Sequence, residues 1–255
     1  MDSLSLFDLK NKTALITGSG SGIGRALAEG LAGAGAKIIL NGRNKEKLNA
    51  AVQNLEKQGA KVFKLVFDVT DSNSTKKAIQ GFENEQGTID ILINNAGINI
   101  RGPFADFDED EWKKVLDINV NGAMIVSQTV APFMLKRKAG KIINICSMQS
   151  ELGRPSIVPY TVSKGGIKML TKALATEWGG QNIQVNGIGP GYFATELTKP
   201  LKDDPEFDKW LCNRTPAARW GDVSELIGAA VFLSSEASNY VNGHILNVDG
   251  GLLAS

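Results

Sequence analysis

The sequence has few of the residues that secreted or metal-binding proteins depend on. It contains 2 cysteines among 255 residues, Cys146 and Cys212, and they lack CxxC spacing. Neither a disulfide framework nor a metal site is therefore predicted, and both thiols are expected to be reduced. The single histidine, His244, is expected to pack or to face solvent. A Cys/His nucleophilic site is not indicated.

Charge of one sign and long hydrophobic runs are also scarce. Lys and Arg number 28 against 27 for Asp and Glu. Like charges do not gather in blocks, so neither a nucleic-acid partner nor a membrane-surface partner is predicted. The longest apolar runs, such as 228–233, fall far short of the ~18 residues of a spanning helix. The N-terminal residues around Asp2 and Asp8 show no secretory pattern, so a cytoplasmic protein is expected.

Short β-branched runs alternate with longer segments of helical periodicity along most of the chain. Strands are predicted at 13–17, 37–41, 62–67, 89–93, 141–146, 184–189 and 245–248. Helices are predicted at 23–34, 45–58, 74–85, 110–137, 160–178 and 224–234. The Val, Ile and Leu content of the strands suits a sheet covered on both faces. The pattern predicts an α/β protein, a doubly wound, Rossmann-type three-layer domain with a seven-stranded parallel sheet.

One segment, 190–220, breaks this alternation. It contains Pro190, Pro200, Pro205 and Pro216 and is too long for an ordinary connection. It is therefore predicted to form a substrate lid. No repeat, low-complexity tract or linker divides the chain, so a single domain over 1–255 is the simplest expectation.

A glycine-rich segment, TGSGSGIG at 17–24, follows the first predicted strand. Its spacing is TGxxxGxG and not the GxGxxG fingerprint. Glycines let backbone N–H groups approach a pyrophosphate closely, and the helix N-terminus behind them favours its negative charge. A glycine-rich turn alone is commonly structural, but this position in a βαβ unit favours dinucleotide binding. The predicted contacts are Gly18, Ser21, Gly22, Ile23 and Gly24.

The end of the second predicted strand indicates which dinucleotide binds. NAD sites carry an acidic residue there for the ribose 2′-hydroxyl, whereas an Arg accommodates a 2′-phosphate. Here the sequence reads LNGRNK at 40–45, without a carboxylate, and Arg43 can offer a planar fork to phosphate. NADP(H) is therefore predicted ahead of NAD(H). The alternative is that Arg43 and Lys45 only solvate the start of a helix.

Four residues form a candidate catalytic group. Tyr160 and Lys164 share one face of a predicted helix, and Ser147 follows the fifth strand, where ligands of an open parallel sheet bind. A tyrosine can serve as acid or base in ketone reduction and alcohol oxidation. A cation about 4 Å away stabilises its anion by ~4 kcal/mol at an effective dielectric of about 20. Ser147 is predicted to bind the substrate oxygen, and Asn119 to help hold Lys164 and a proton-relay water.

Each of these signals is ambiguous by itself. YxxxK occurs by chance on amphipathic helices, and Ser147 could simply cap a strand end. Their joint occurrence behind the TGxxxGxG turn indicates a function.

These features resemble the short-chain dehydrogenase/reductase family over essentially the whole chain. The matching residues are TGSGSGIG at 17–24, DV at 68–69, NNAG at 94–97, Asn119, Ser147, Tyr160, Lys164 and PG at 190–191. The resemblance implies that Asp68 and Val69 bind adenine. It implies that Asn95, Ala96 and Gly97 line the cofactor, and that Pro190, Gly191 and Thr195 lie beside the nicotinamide. It also implies a homotetramer, built partly through the helices at 110–137 and 160–178.

A narrower resemblance is to the gluconate 5-dehydrogenases, which interconvert D-gluconate and 5-keto-D-gluconate. It is carried by segments 143–154, 184–188, 190–193, 215–221 and 241–244. Members differ in cofactor, so the NADP(H) prediction rests on Arg43. A sugar-acid substrate needs a carboxylate partner, for which Arg101 and Arg154 are candidates, and Glu151 could accept from sugar hydroxyls. The alternative is that these three residues form surface or interface ion pairs.

Two other functions remain open at this point. One is reduction of another ketone, such as 2-dehydro-3-deoxygluconate or a carrier-bound 3-ketoacyl group. The other is a non-catalytic, nucleotide-sensing protein of the same fold. The presence of Asn119, Ser147, Tyr160 and Lys164 together argues against the second.

Overall fold

Parallel strands form a sheet that runs through the middle of the molecule. The computed structural model describes residues 3–196 and 198–254. Residues 1, 2 and 255 of the predicted domain, and Leu197 of the predicted lid, lie outside the described residues. The sheet has 7 strands in the order β3-β2-β1-β4-β5-β6-β7, and every pairing is parallel. The predicted seven-stranded parallel sheet is confirmed.

The strands and helices alternate along the chain. The strands are β1 (Thr13–Ile16), β2 (Lys37–Gly42), β3 (Val62–Val66), β4 (Ile91–Asn94), β5 (Gly140–Ile145), β6 (Ile183–Pro190) and β7 (Ile245–Val248). The helices are α1 (Gly22–Gly33), α2 (Lys45–Lys57), α3 (Ser72–Glu85), α4 (Glu109–Leu116), α5 (Gly122–Arg137), α6 (Val158–Trp178), α7 (Lys199–Lys202), α8 (Pro205–Arg214) and α9 (Ile227–Ser234).

Two apolar cores lie on opposite faces of the sheet. Successive strand residues point to opposite faces. Ile16 therefore packs in one core with Leu27 of α1, and its neighbour Leu15 packs in the other with Val126 of α5. All residues of β1 and β4 are buried, because helices cover both faces. This arrangement confirms the predicted three layers.

The strand order places the candidate site. The chain crosses from the β3 edge back past β1 to β4, so the connections after β1 and β4 leave the sheet in opposite directions. A crevice opens at such a point outside the carboxyl ends of the strands. The segments that follow β1, β2, β4 and β5 meet there.

The segment predicted as one helix over 110–137 is divided in the structure. Residues Asp117–Asn121 form a π turn between α4 and α5. Together Glu109–Arg137 are long and apolar enough to span a membrane by length and composition, but half of that window is buried inside the protein. Val126, Val130 and Met134 lie in the core against the sheet, so these helices belong to the protein interior.

The segment 190–220 contains helices that the sequence did not predict. Asp204 caps α8 by accepting from the N–H groups of Glu206 and Phe207, and Pro205 occupies its first position. An apolar cluster joins this segment to the rest of the domain. Its members are Met148, Leu211, Trp220 and Leu252, with Tyr192, Leu201, Phe207, Cys212 and Leu253 packed against them.

Candidate active site

A cleft of about 570 Å³ opens at the carboxyl ends of the strands. Its volume is in the range of small-molecule and cofactor sites. The lining includes fourteen predicted site residues, namely Gly18, Ser21, Gly22, Ile23, Gly24, Arg43, Asp68, Val69, Asn95, Ala96, Gly97, Tyr160, Lys164 and Thr195. It also includes Asn41, Gly42, Phe67, Ile98, Ile118, Ile145 and Glu196, which the sequence did not single out.

The glycine-rich turn has the geometry of an anion-binding loop. Gly18 adopts φ +64°, and a Cβ there would lie 2.9 Å from the Cα of Ala96. A Cβ on Gly24 would lie within contact of the Asn95 carboxamide, so this close approach requires glycine. Ser21 stands before α1 but makes no side-chain cap hydrogen bond, so the first amides of α1 are open to a ligand. These features fit a dinucleotide pyrophosphate.

Two polar residues hold the turn in place. The Asn95 carboxamide donates to the carbonyls of Thr17 (2.9 Å) and Gly18 (3.2 Å). The fully buried Ser19 donates to the carbonyl of Ile16 (2.8 Å) and accepts from the N–H of Asn41 (2.9 Å). Ser19 thereby ties the turn to the end of β2. Sequence reasoning missed it because a serine among glycines has no signal of its own.

Arg43 and Asp68 both line the cleft, where their side chains are hydrogen-bonded to each other. Arg43 Nη1 donates to Asp68 Oδ2 at 3.3 Å, and its side chain is 67% exposed. Burial raises the pKa of Asp68, but hydrogen bonds from the N–H and hydroxyl of Thr70 and the Arg43 guanidinium outweigh it, so the pKa lies below its usual value. Asp68 therefore stays ionised at neutral pH beside Arg43, and the Arg43 side chain remains accessible from the cleft.

Tyr160 and Lys164 lie one turn apart on α6, as the spacing predicted. Lys164 is buried, and its Nζ donates to the carbonyl of Ile145 at 2.6 Å. The same nitrogen lies 5.5 Å from the centroid of the Tyr160 ring. The hydrogen bond to the Ile145 carbonyl at the end of β5 thus keeps the Lys164 ammonium group near the Tyr160 ring.

Ser147 is buried directly after β5 and also caps a short 3-10 turn. Its hydroxyl accepts from the N–H of Gln149 at 3.1 Å, and its own N–H donates to Ser150 Oγ at 3.3 Å. Ser150 in turn donates to the carbonyl of Lys164 at 2.9 Å. This link between the β5 turn and α6 sets the serine and the Tyr160–Lys164 helix in a fixed relation. The capping role and a catalytic role are compatible, because the hydroxyl hydrogen remains available to a substrate oxygen.

Asn119 lies in the π turn and is buried. Its carboxamide accepts from the N–H of Ile98 (2.8 Å) and donates to the carbonyl of Ile98 (2.9 Å) and to Ser163 Oγ (3.0 Å). The side chain therefore fixes the loop after β4 and the face of α6 next to Lys164. Its predicted part in holding Lys164 and a relay water stays a prediction.

Arg101 interacts electrostatically with Arg154, Tyr192 and Tyr160. Burial and repulsion from Arg154 lower the pKa of Arg101, while Tyr192 and Tyr160 oppose that shift. Arg154 Nη1 donates to Tyr192 Oη at 2.9 Å. Burial raises the pKa of Tyr192, and the two arginines oppose it. In the part of the chain that the structure describes, neither arginine forms an ion pair with a carboxylate.

Three other predicted site residues, Glu151, Pro190 and Gly191, do not line the cleft. Glu151 pairs with Lys168 of α6 at 2.6 Å. Pro190 ends β6, and the N–H of Gly191 donates to the carbonyl of Val248 beside β7. The predicted place of Pro190 and Gly191 beside a nicotinamide stays a prediction.

Comparison with known proteins identifies the family of this chain. The short chain dehydrogenase family matches residues 12–206. The chain therefore belongs to the short-chain dehydrogenase/reductase family of oxidoreductases.

Individual relatives are similar over nearly the whole chain. It is 54% identical to the 5-keto-D-gluconate 5-reductase of Escherichia coli (strain K12), with 98% of each chain covered. It is 52% identical to the 2-dehydro-3-deoxy-D-gluconate 5-dehydrogenase of Formosa agariphila, with 99% of this chain and 97% of that one covered. It is 50% identical, with TM-score 0.97 and 99% of each chain covered, to a gluconate 5-dehydrogenase from Burkholderia cenocepacia J2315 solved with NADP and tartrate.

Proposed function

We propose that the protein is an NADP(H)-dependent oxidoreductase that interconverts D-gluconate and 5-keto-D-gluconate. The observation that supports this best is the pair Arg101 and Arg154, two guanidinium groups that repel each other and form no ion pair with a carboxylate among the described residues. The two like charges repel each other. A substrate carboxylate between them relieves that repulsion.

The cofactor site fits a nicotinamide dinucleotide. The uncapped amides of α1 and the close-packed glycines suit the pyrophosphate, and Arg43 at the end of β2 suits a 2′-phosphate. When bound, the cofactor supplies or accepts the hydride. NADP(H) is the main assignment, and NAD(H) is the second.

The chain's own residues handle the proton and the substrate oxygen. Tyr160 gives a proton to the oxygen of the ketone in reduction and removes it from the alcohol in oxidation. Lys164, held by the Ile145 carbonyl, stabilises the phenolate form. Ser147 binds the same substrate oxygen and keeps it in line with Tyr160.

A carboxylate-binding pair does not by itself distinguish two sugar acids. 2-Dehydro-3-deoxygluconate also carries a carboxylate, and one similar relative acts at position 5 of that compound according to its name. The 54% identity to the 5-keto-D-gluconate 5-reductase and the similarity to the gluconate 5-dehydrogenase structure favour gluconate.

The test is a kinetic panel on the purified enzyme, followed at the nicotinamide absorbance. We expect the highest kcat/KM with 5-keto-D-gluconate and NADPH, compared with a 3-ketoacyl thioester, with NADH, and with the 2,5-diketone that oxidation of 2-dehydro-3-deoxygluconate at position 5 gives. Arg43→Ala should raise the KM for NADPH far more than that for NADH, because only NADPH offers a 2′-phosphate. Lys45→Ala, on the same turn, is the matched control.

The panel also separates the parts of the proposal. Tyr160→Phe should lower kcat by about 10²- to 10⁴-fold, the usual contribution of a positioned acid/base. Equal losses with both cofactors in Arg43→Ala would refute the NADP(H) assignment. If another ketone had the higher kcat/KM, that ketone would be assigned as the substrate in place of 5-keto-D-gluconate.

We also infer a cytoplasmic homotetramer. Val162 and Met169 of α6 and Met124 of α5 are exposed at 47%, 60% and 38%. Exposed apolar side chains on two adjacent long helices support an interface between copies of this chain. The near balance of 28 basic and 27 acidic residues is in keeping with a cytoplasmic enzyme that uses no polyanionic partner.

A further inference from the structure

Aromatic residues, and not a carboxylate, hold the Arg154 side chain. Its Nη1 donates to Tyr192 Oη at 2.9 Å, and its guanidinium carbon lies 4.6 Å from the centroid of the Phe207 ring. Phe207 lies on α8, inside the predicted lid segment, while Tyr192 follows β6 and Arg154 follows β5. The guanidinium plane is therefore fixed by residues from other parts of the chain.

This aromatic support is itself well braced. Tyr192 packs edge-to-face against Phe207 at 5.5 Å and 69°, and against Trp220 at 5.7 Å and 76°. Trp220 Nε1 donates to Asp208 Oδ1 of α8 at 2.6 Å. The Tyr192 ring, packed against Phe207 and against the hydrogen-bonded Trp220, therefore has little freedom to move.

The contacts of Tyr192 and Phe207 with Arg154 leave most of its N–H groups free. A guanidinium has five N–H donors, and the Tyr192 hydroxyl takes one of them. The others remain available to a ligand. Since Arg101 repels Arg154, an unsupported Arg154 side chain would turn away toward solvent and separate the two cations.

We propose that Tyr192 and Phe207 are positioning residues that hold Arg154 beside Arg101 and so make the enzyme select ketones that carry a carboxylate. This inference rests on the proposed function and adds the residues that set its specificity. Because Phe207 belongs to α8, binding of the substrate carboxylate also depends on the position of that helix. The lid segment and the acid-binding pair then act as one unit.

Two conservative variants test this role. Tyr192→Phe keeps the ring and removes the hydrogen-bond acceptor, and Phe207→Leu keeps an apolar side chain and removes the ring face. Losing a charge-assisted hydrogen bond or a cation–π contact should raise the KM for 5-keto-D-gluconate about 5- to 30-fold, with kcat changed less than about 2-fold. Trp210→Leu on the same helix contacts Phe207 but not Arg154 and is the matched control.

A neutral substrate separates specificity from general damage. L-Sorbose differs from 5-keto-D-gluconate in having a hydroxymethyl group in place of the carboxylate. Its kcat/KM should stay within about 2-fold of the parent value in both variants. Parallel losses for both substrates, or an unchanged KM for the acid, would overturn the proposal.

Binding without turnover separates this inference from the proposed function. The Kd of D-gluconate for the enzyme–NADPH complex is measured by calorimetry, with D-glucitol as the neutral counterpart. We expect a weaker Kd for D-gluconate alone in Tyr192→Phe and Phe207→Leu. If the parent enzyme failed to reduce 5-keto-D-gluconate but the two variants bound D-gluconate more weakly than the parent, the substrate would be wrong and the positioning role would stand. An unchanged Kd for D-gluconate would reject the positioning role.

Discussion

Two lysines lie at opposite ends of β5, and their surroundings give them different effects. Lys164 Nζ meets the carbonyl at the carboxyl end of β5 and faces the cleft. Lys141 lies near the amino end of the same strand, where it donates to Asn239 Oδ1 at 2.8 Å. Burial lowers the pKa of Lys141 to about 8, Glu236 opposes the shift, and Lys12 adds to it. One lysine serves the candidate site, and the other weakens the fold at neutral pH.

The Lys141 shift predicts a pH-dependent stability. Because its folded pKa of about 8 is below the ordinary 10.5, the folded state binds fewer protons than the unfolded chain between those values. Its contribution to the free energy of unfolding therefore rises with pH across that window, and its cost is complete below about pH 8.

Urea unfolding of Lys141→Met measures this dependence. The free energy of unfolding of the variant, relative to the parent, should be most favourable near pH 7 and should decline toward pH 10. Lys136→Met, an exposed change on α5, should show a pH-independent difference. A flat difference for Lys141→Met would contradict the pKa shift.

Single residues differed in how far the sequence could identify them. Tyr160, Lys164, Arg43 and the glycines belong to spaced motifs, and the structure places them around one cleft. Ser19 acts through a neighbour and belongs to no motif. Glu151 pairs with Lys168, seventeen residues away on α6, and its predicted contact with sugar hydroxyls stays a prediction. Such a pair is set by packing, which a linear pattern does not contain.

At the scale of elements, the π turn between α4 and α5 is the clearest departure from the predicted pattern. The apolar periodicity of 110–137 continues across it, so the sequence predicts one helix. A π turn adds one residue to the helical ring and shifts the side chains that follow. In this structure the turn contains Asn119, whose carboxamide reaches Ile98.

Removing the Asn119 carboxamide should damage the loop after β4. Asn119→Ala leaves the N–H and carbonyl of Ile98 and the Ser163 hydroxyl without these partners. We expect the free energy of unfolding to fall by about 2–4 kcal/mol. The kcat should fall as well, because Ile98 lines the cleft.

Asn121→Ala is the matched control for this change. Asn121 lies in the same turn, is exposed, and donates to Asp117 Oδ1 at the surface. Its loss should cost less than about 0.5 kcal/mol. A similar cost for both variants in urea unfolding would show that the turn itself, and not the Asn119 contacts, is what matters.

The start of α8 is marked in the sequence by an aspartate and a proline. Asp204 followed by Pro205 is a common start of a helix, because the aspartate caps and the proline needs no hydrogen-bond partner there. The several prolines of 190–220 favoured an irregular lid instead. The alternating elements of the rest of the chain were easier to predict, since each strand is a distinct apolar run between helical patterns.

At the scale of the whole molecule, the proposed tetramer can be tested without disturbing the core. Met169→Glu places a charge on the exposed face of α6 and should dissociate the assembly, because an unpaired charge is costly to bury in an interface. Light scattering coupled to size-exclusion chromatography should show a mass of dimers or of the 27.3 kDa chain. Gln80→Glu, on the exposed side of α3, should leave the mass unchanged. A tetramer that survives Met169→Glu would place the interface elsewhere.

The strand order β3-β2-β1-β4-β5-β6-β7 also has a consequence for how such enzymes diversify. Arg43 and the glycine-rich turn are encoded before β4, whereas Arg154, Tyr192 and Phe207 are encoded after it. If Arg43 sets the cofactor and Arg154 binds the substrate, as proposed, mutation or recombination in the first half of the gene can exchange NADP(H) for NAD(H) without changing the substrate-binding residues. A lineage of this design can move to a new metabolic supply of reducing power and keep its old substrate.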